Sequence, residues 1–155
     1  MKFGKNLAQV IEFSDPEWGP YWMNYKFLKK KINDIVAEQG GKRHNSMGSN
    51  DTANPNELRK SNAEVEFFKL LKSEMRKTDD FFRQEEHLFR IRKKRVWEGF
   101  NLLKEQCQSY DKSTWSRLTM ACVKFYEDVL LLENFAIMNY CGFSKILKKH
   151  DKLTG

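Results

Sequence analysis

Residues 142–152, "GFSKILKKHDK", place Lys145, Lys148, Lys149 and Lys152 within eight positions. At about 100° per residue on a helix, with Lys145 as zero, Lys148 falls at about 300°, Lys149 at about 40° and Lys152 at about 340°. The four ammonium groups therefore share one face, and Phe143, Ile146, Leu147 and His150 gather on another. Like charges at i,i+4 repel by about 0.2–0.5 kcal/mol per pair, and Asp151 is the one acid in this stretch. Helix stability does not explain such a pattern, which leaves a solvated face or something outside the helix as its reason.

A second cluster lies in "YKFLKKK", residues 25–31. Tyr25 and Lys29 stand at i,i+4 on one helix face, with Lys26 and Lys30 forming the adjacent line. Beside the lysine helix, these residues would make a two-sided basic groove. A phenolic O–H donates well to a phosphate oxygen, and lysine serves phosphate as a point charge. Enzymatic constellations are scarce by comparison. His44, His87 and His150 have no metal-ligand spacing to another His, Cys or carboxylate. There is no phosphate-cradling glycine loop, dinucleotide fingerprint or nucleophile elbow. No catalytic residue, metal or cofactor is assigned, and the chain is expected not to be an enzyme. The charged run "RQEEHLFRIRKKR", 83–95, spreads its positives around a helix and reads as a solvated face.

The elements that must position these residues are all helical in pattern. Phe3, Leu7, Val10 and Ile11 mark a short first helix, ended by "SDPEWGP". A second helix starts near Tyr21, with the apolar line Trp22, Tyr25, Leu28, Ile32, Ile35 and Val36, making a hairpin with the first. Residues 39–56 are polar and rich in Gly, Ser and Asn, and read as a flexible loop. A long helix is expected from about 57 to 109, with Val65, Phe68, Leu71, Met75, Phe82, Phe89, Val96, Phe100 and Leu103 facing inward. After the turn "SYDKS", with Ser113 as N-cap, another helix carries Trp115, Leu118, Cys122, Phe125, Val129, Leu132 and Phe135. Gly142 is expected to end it, leaving a separate short lysine-rich helix. The fold class is all-α: an N-terminal helical hairpin packed on a bundle with two long helices, followed by that short helix.

The bulk composition agrees with a basic binding module. The chain has 155 residues, one domain's worth, and 28 Lys and Arg against 21 Asp and Glu, a net charge of +7. That balance favours nucleic acid, acidic lipid or phosphorylated small molecules. Cys107, Cys122 and Cys141 are far apart and odd in number, and read as reduced core thiols of a cytosol-like compartment. The chain holds no apolar run of 18 residues, so no transmembrane segment is expected.

"MKFGKNL" at the start, "PEWGPYWMNYKFLKKKI" after it and "GFSKILKKHDKLTG" at the end closely resemble an SPX domain. The middle agrees only in helical pattern, and residues 39–56 do not match. The resemblance implies a single domain over 1–155, the N-terminal part of a longer protein, that senses inositol polyphosphates and pyrophosphates as reporters of phosphate status. It implies inositol hexakisphosphate or an inositol pyrophosphate as ligand, a cytoplasmic setting or the cytosolic face of a membrane, and a following transporter or enzyme domain or a protein partner. By motif, the phosphate-binding tyrosine falls on Tyr25 and its partner lysine on Lys29. Lys149 completes that inner cluster, and Lys145, Lys148, Lys152, Lys30 and Lys2 surround it. The alternatives are a basic helical module for acidic lipids or nucleic acid, and a plain protein-interaction bundle. Nucleic acid is not expected, because no recognition motif is visible. A lipid surface needs an apolar face left exposed beside the basic one.

Overall fold

The computed structural model describes residues 2–43, 62–105 and 112–154. Its elements are α1 (Phe3–Glu12), a 3₁₀ helix (Pro16–Tyr21), α2 (Tyr25–Arg43), α3 (Asn62–Glu105) and α4 (Lys112–Thr154). The last two, of 44 and 43 residues, are each about 65 Å long and lie against one another. α2 packs across both of them and α1 reaches α4. Among the described residues, no helix is long and apolar enough to cross a membrane.

Local chemistry sets the starts of the short elements. The Asp15 carboxylate accepts the Glu17 N–H at 2.9 Å, and Pro16 occupies the first position of the 3₁₀ helix. That turn drives Trp18 into the core, edge-on to Phe81 at 5.6 Å and Phe135 at 6.1 Å. Asn24 caps α2, its Oδ1 accepting the Phe27 N–H at 3.2 Å and its carbonyl the Leu28 N–H at 3.0 Å. The second helix thus begins at Tyr25 and not near Tyr21, which belongs to the 3₁₀ helix. It continues to Arg43, so residues 39–43 of the expected loop are helical; 44–56 lie outside the described residues.

Phe67 from α3, Leu28, Ile32 and Ile35 from α2, and Phe135 and Ile146 from α4 make the fully buried centre of the core. The inward line of α3 is Phe67, Leu71, Thr78, Phe81 and Phe89, which corrects the expected register: Val65 and Met75 are exposed. Phe67–Phe68 and Phe81–Phe82 are adjacent aromatic pairs, and spacing alone does not say which member goes in. The ends expected for this helix, 57–61 and 106–109, and the turn from Ser109 to Asp111 lie outside the described residues. Ser113 sits within α4 rather than ahead of it. Cys122 is exposed and Cys141 half-buried, so Cys122 is not a core thiol.

The lysine-rich stretch is not a separate helix. α4 runs unbroken through Gly142 to Thr154, and its buried line Leu132, Phe135, Asn139, Gly142, Phe143, Ile146, His150 spans the expected break. Gly142 is there for close approach. A Cβ at this position would overlap Met23 Sδ and come within 3.2 Å of Met23 Cε and 3.5 Å of Phe3 Cε1. The glycine admits the α1–α2 segment against α4 and does not terminate the helix.

Candidate anion-binding site

The link that launches α2 is clamped from both long helices. Met23 N–H donates to Asn139 Oδ1 at 2.9 Å, and Asn139 Nδ2 donates to the Phe135 carbonyl at 2.8 Å. From α3, Glu74 Oε2 accepts the Asn24 N–H at 2.7 Å, while Lys77 Nζ donates to the Trp22 carbonyl at 2.9 Å and to Glu74 at 2.8 Å. Asn139 is buried, so its bond to the Met23 N–H operates away from water, where an unpaired N–H is costly. Together they fix where α2 starts, and hence where Tyr25 and Lys29 stand relative to α4.

Tyr25 meets the first turn of α1. Its ring lies edge-on to Phe3 at 5.0 Å, and Gly4 approaches so closely that a Cβ there would be 3.4 Å from Tyr25 Cε1. Burial pushes the Tyr25 hydroxyl pKa up, which keeps it a protonated donor at neutral pH. Lys145 Nζ lies over the opposite partner, 5.5 Å from the Phe3 ring centroid. Lys2 precedes α1 in extended backbone, its carbonyl accepting from Lys5 and Asn6, and α1 has no acid in its first turn. The free N–H groups there are open to an anion.

Lys149 is the pivot between α4 and α2. Its Nζ donates to Asn33 Oδ1 at 3.2 Å. Burial, and then the Lys29 ammonium, push the Lys149 pKa down. The Lys29 ammonium thus stands close enough to disfavour the charge on Lys149, an arrangement that an anion between them relieves.

The structure therefore brings Tyr25, Lys29, Lys145 and Lys149 together beside the start of α1, with Lys2 at its margin. Lys148 and Lys152 are exposed on the same helical stripe of α4 as Lys145 and Lys149, and Lys30 is exposed on α2. No contact ties these three to the cluster among the described residues. Sequence reasoning missed Asn33 and the clamp residue Asn139. Asn33 continues the i,i+4 series Tyr25, Lys29, and Asn139 interrupts the apolar stripe of α4; both signals are present in the spacing. His150 is not part of the cluster, because its ring is buried in parallel contact with Phe67 at 5.1 Å and edge-on to Phe68 at 5.0 Å.

Fold and site define a class: an all-α module presenting a cation cluster assembled from α1, α2 and the end of α4. The SPX domain family model matches residues 1–64 and 91–155, and the chain belongs to that family. The matched range includes the segment 39–56, which had been expected not to match, and leaves out 65–90 in α3. SPX domain-containing protein 2 of Arabidopsis thaliana is 34% identical over 161 residues, covering all of this chain and 53% of that protein. SPX domain-containing protein 5 of Oryza sativa subsp. indica is 35% identical over 155 residues, with 100% and 53% covered. The chain thus spans about half the length of these relatives. The SPX domain of Chaetomium thermophilum glycerophosphodiester phosphodiesterase 1, solved in complex with inositol hexakisphosphate, superimposes with a TM-score of 0.75 at 26% identity. That superposition covers 98% of this chain and 75% of the other.

Proposed function

We propose that this domain binds inositol polyphosphates or pyrophosphates at the cluster between α2 and the end of α4, and reports cellular phosphate status to attached domains or partners. The observation that carries the reading is the Lys149–Lys29 pair, in which burial and like charge both work against the charged form. A polyphosphate, at about −1.5 to −2 charges per monoester group, would neutralise that repulsion and bridge the two helices. In this reading Tyr25 donates its hydroxyl to a phosphate oxygen, and Lys29 and Lys149 supply the inner charge. Lys145, Lys148, Lys152, Lys30 and Lys2 form the outer field, in which a ligand with many phosphates finds several ammonium groups at once. The binding of inositol hexakisphosphate by the similar fungal SPX domain supports this choice of ligand class. The domain itself performs no chemistry in this account, and a cytosolic setting suits its ligand.

The test is calorimetric titration of inositol hexakisphosphate into the chain at near-physiological salt, beside a Tyr25→Phe, Lys29→Ala, Lys149→Ala variant shown to be folded by circular dichroism. Micromolar or tighter binding, about −8 kcal/mol, that the variant loses is the expected result. Equal binding by both proteins, or none by either, would overturn the proposal.

A further inference from the structure

The part of the α3/α4 hairpin remote from the lysine end of α4 carries a second group of cations. Residues 90–126 hold nine Lys and Arg against Glu98, Glu105 and Asp111, with Glu85, Glu86, Glu127 and Asp128 flanking them. Some are paired: Arg90 with Glu86 at 2.7 Å, Arg92 and Lys124 with Asp128 at 2.8 and 3.0 Å, and Lys94 with Glu98 at 3.8 Å. Lys93, Arg95 and Arg117 have no carboxylate at ion-pair distance among the described residues.

Apolar groups stand exposed among these cations. Arg90, Lys93, Lys94 and Trp97 follow i, i+3, i+4, i+7 and line one shallow cleft, so three cations of the run expected to be a solvated face share it with an indole just beyond that run. Trp97 is 63% exposed, and on α4 Met120 is 69% and Tyr126 64% exposed. Ring contacts Phe89–Phe125 at 6.0 Å and Phe100–Trp115 at 6.1 Å set the antiparallel register of the two helices. Tyr126 and Met120 therefore stand within about a turn of Arg90 and Lys94 along the hairpin axis.

We propose that this outer part of the hairpin docks on an anionic phospholipid surface, the cations around Trp97 against the headgroups and the Trp97 indole in the interfacial layer. Charge complementarity selects an acidic occupant. The exposed indole and phenol are groups that favour the boundary between headgroup and acyl chain. Their spread over both helices fits a fluid plane, which needs no single matching groove. From Phe125 to Lys149 is about 36 Å along α4, so this surface is separate from the inositol polyphosphate cluster and does not depend on that assignment.

The experiment is co-sedimentation of the full chain with vesicles of phosphatidylcholine containing one-third phosphatidylserine, and with phosphatidylcholine alone, at near-physiological salt. The account expects binding to the acidic vesicles only, with a blue shift of tryptophan emission that Trp97→Phe removes. A folded Lys93→Glu, Lys94→Glu variant should partition at least tenfold less, since each cation near such a surface is worth about fivefold. A Lys145→Ala, Lys149→Ala variant should bind the vesicles as the unaltered chain does. Three results would overturn the proposal: no vesicle binding by the unaltered chain, binding lost with Lys145 and Lys149 but kept without Lys93 and Lys94, or light scattering showing a dimer whose Trp97 emission is already blue-shifted without vesicles.

Discussion

Replacing Gly142 by alanine separates the two things a glycine at this position could do. In an exposed helix interior, Gly→Ala gains about 1 kcal/mol of propensity. Here the added methyl would overlap the thioether of Met23, a residue that is buried and whose backbone N–H is held by Asn139. Overpacking of this kind costs about 1–3 kcal/mol, so Gly142→Ala should lose up to about 2 kcal/mol net, read as a lower urea midpoint. A helix-ending glycine would also be destabilised by alanine, so the decisive variant is Gly142→Ala in a Met23→Ala background. With the thioether gone, alanine at 142 should become stabilising by about 1 kcal/mol, a coupling of about 1–3 kcal/mol between neighbours. Gly99 serves as the control. Its Cβ would meet only the tip of Leu118 at 3.3 Å, so Gly99→Ala should be neutral or stabilising. A Gly142→Ala penalty that persists without Met23 would refute the close-approach reasoning.

Asn139→Ala should cost about 1–3 kcal/mol by leaving the Met23 N–H unpaired, and inositol hexakisphosphate affinity should fall with it as Tyr25 loses its anchor; a loss below about 0.5 kcal/mol in urea denaturation contradicts this. Because the Lys149 pKa is lowered in the folded state by burial and Lys29, the unfolded chain holds the proton longer. The cost of that charge is therefore present at neutral pH and relieved as pH rises toward 10.5. Lys149→Met should be at least as stable as the unaltered chain at neutral pH, flatten the alkaline rise, and lose polyphosphate affinity. Burial alone would raise Asp128, but Lys124 and Arg92 overcome it and hold its carboxyl below its ordinary 3.8. The stability this confers is present above that value and lost as pH falls below it, so the deficit of Asp128→Asn at neutral pH should close in acid, as followed by thermal melts at each pH.

The all-α class and the basic cluster were legible because each rests on local spacing: i,i+4 charge lines and i,i+3,i+4,i+7 apolar stripes survive in any helical packing. What spacing could not supply was the role of particular residues between elements. Gly142 looks like a stop when only its own neighbours are considered, and becomes a contact once Met23 is placed against it. The Phe67–Phe68 and Phe81–Phe82 pairs leave the helix register open by one residue until α2 and α4 are docked. Asn139 reads as a fault in an apolar stripe, although it satisfies a backbone group 116 residues away. Exposed Cys122 failed for a related reason, since beyond the reach of α1 and α2 an apolar neighbour in sequence does not guarantee cover.

The central claim is that a polyphosphate is held where α1, α2 and the end of α4 meet, and not by whichever basic surface is nearest. Backbone amide shifts recorded during titration with inositol hexakisphosphate address it most directly. The account predicts that the largest changes fall in residues 2–7, 25–33 and 145–152, with residues 90–126 little affected. Shifts concentrated on the basic outer hairpin, with the Tyr25 and Lys149 amides unmoved, would contradict it.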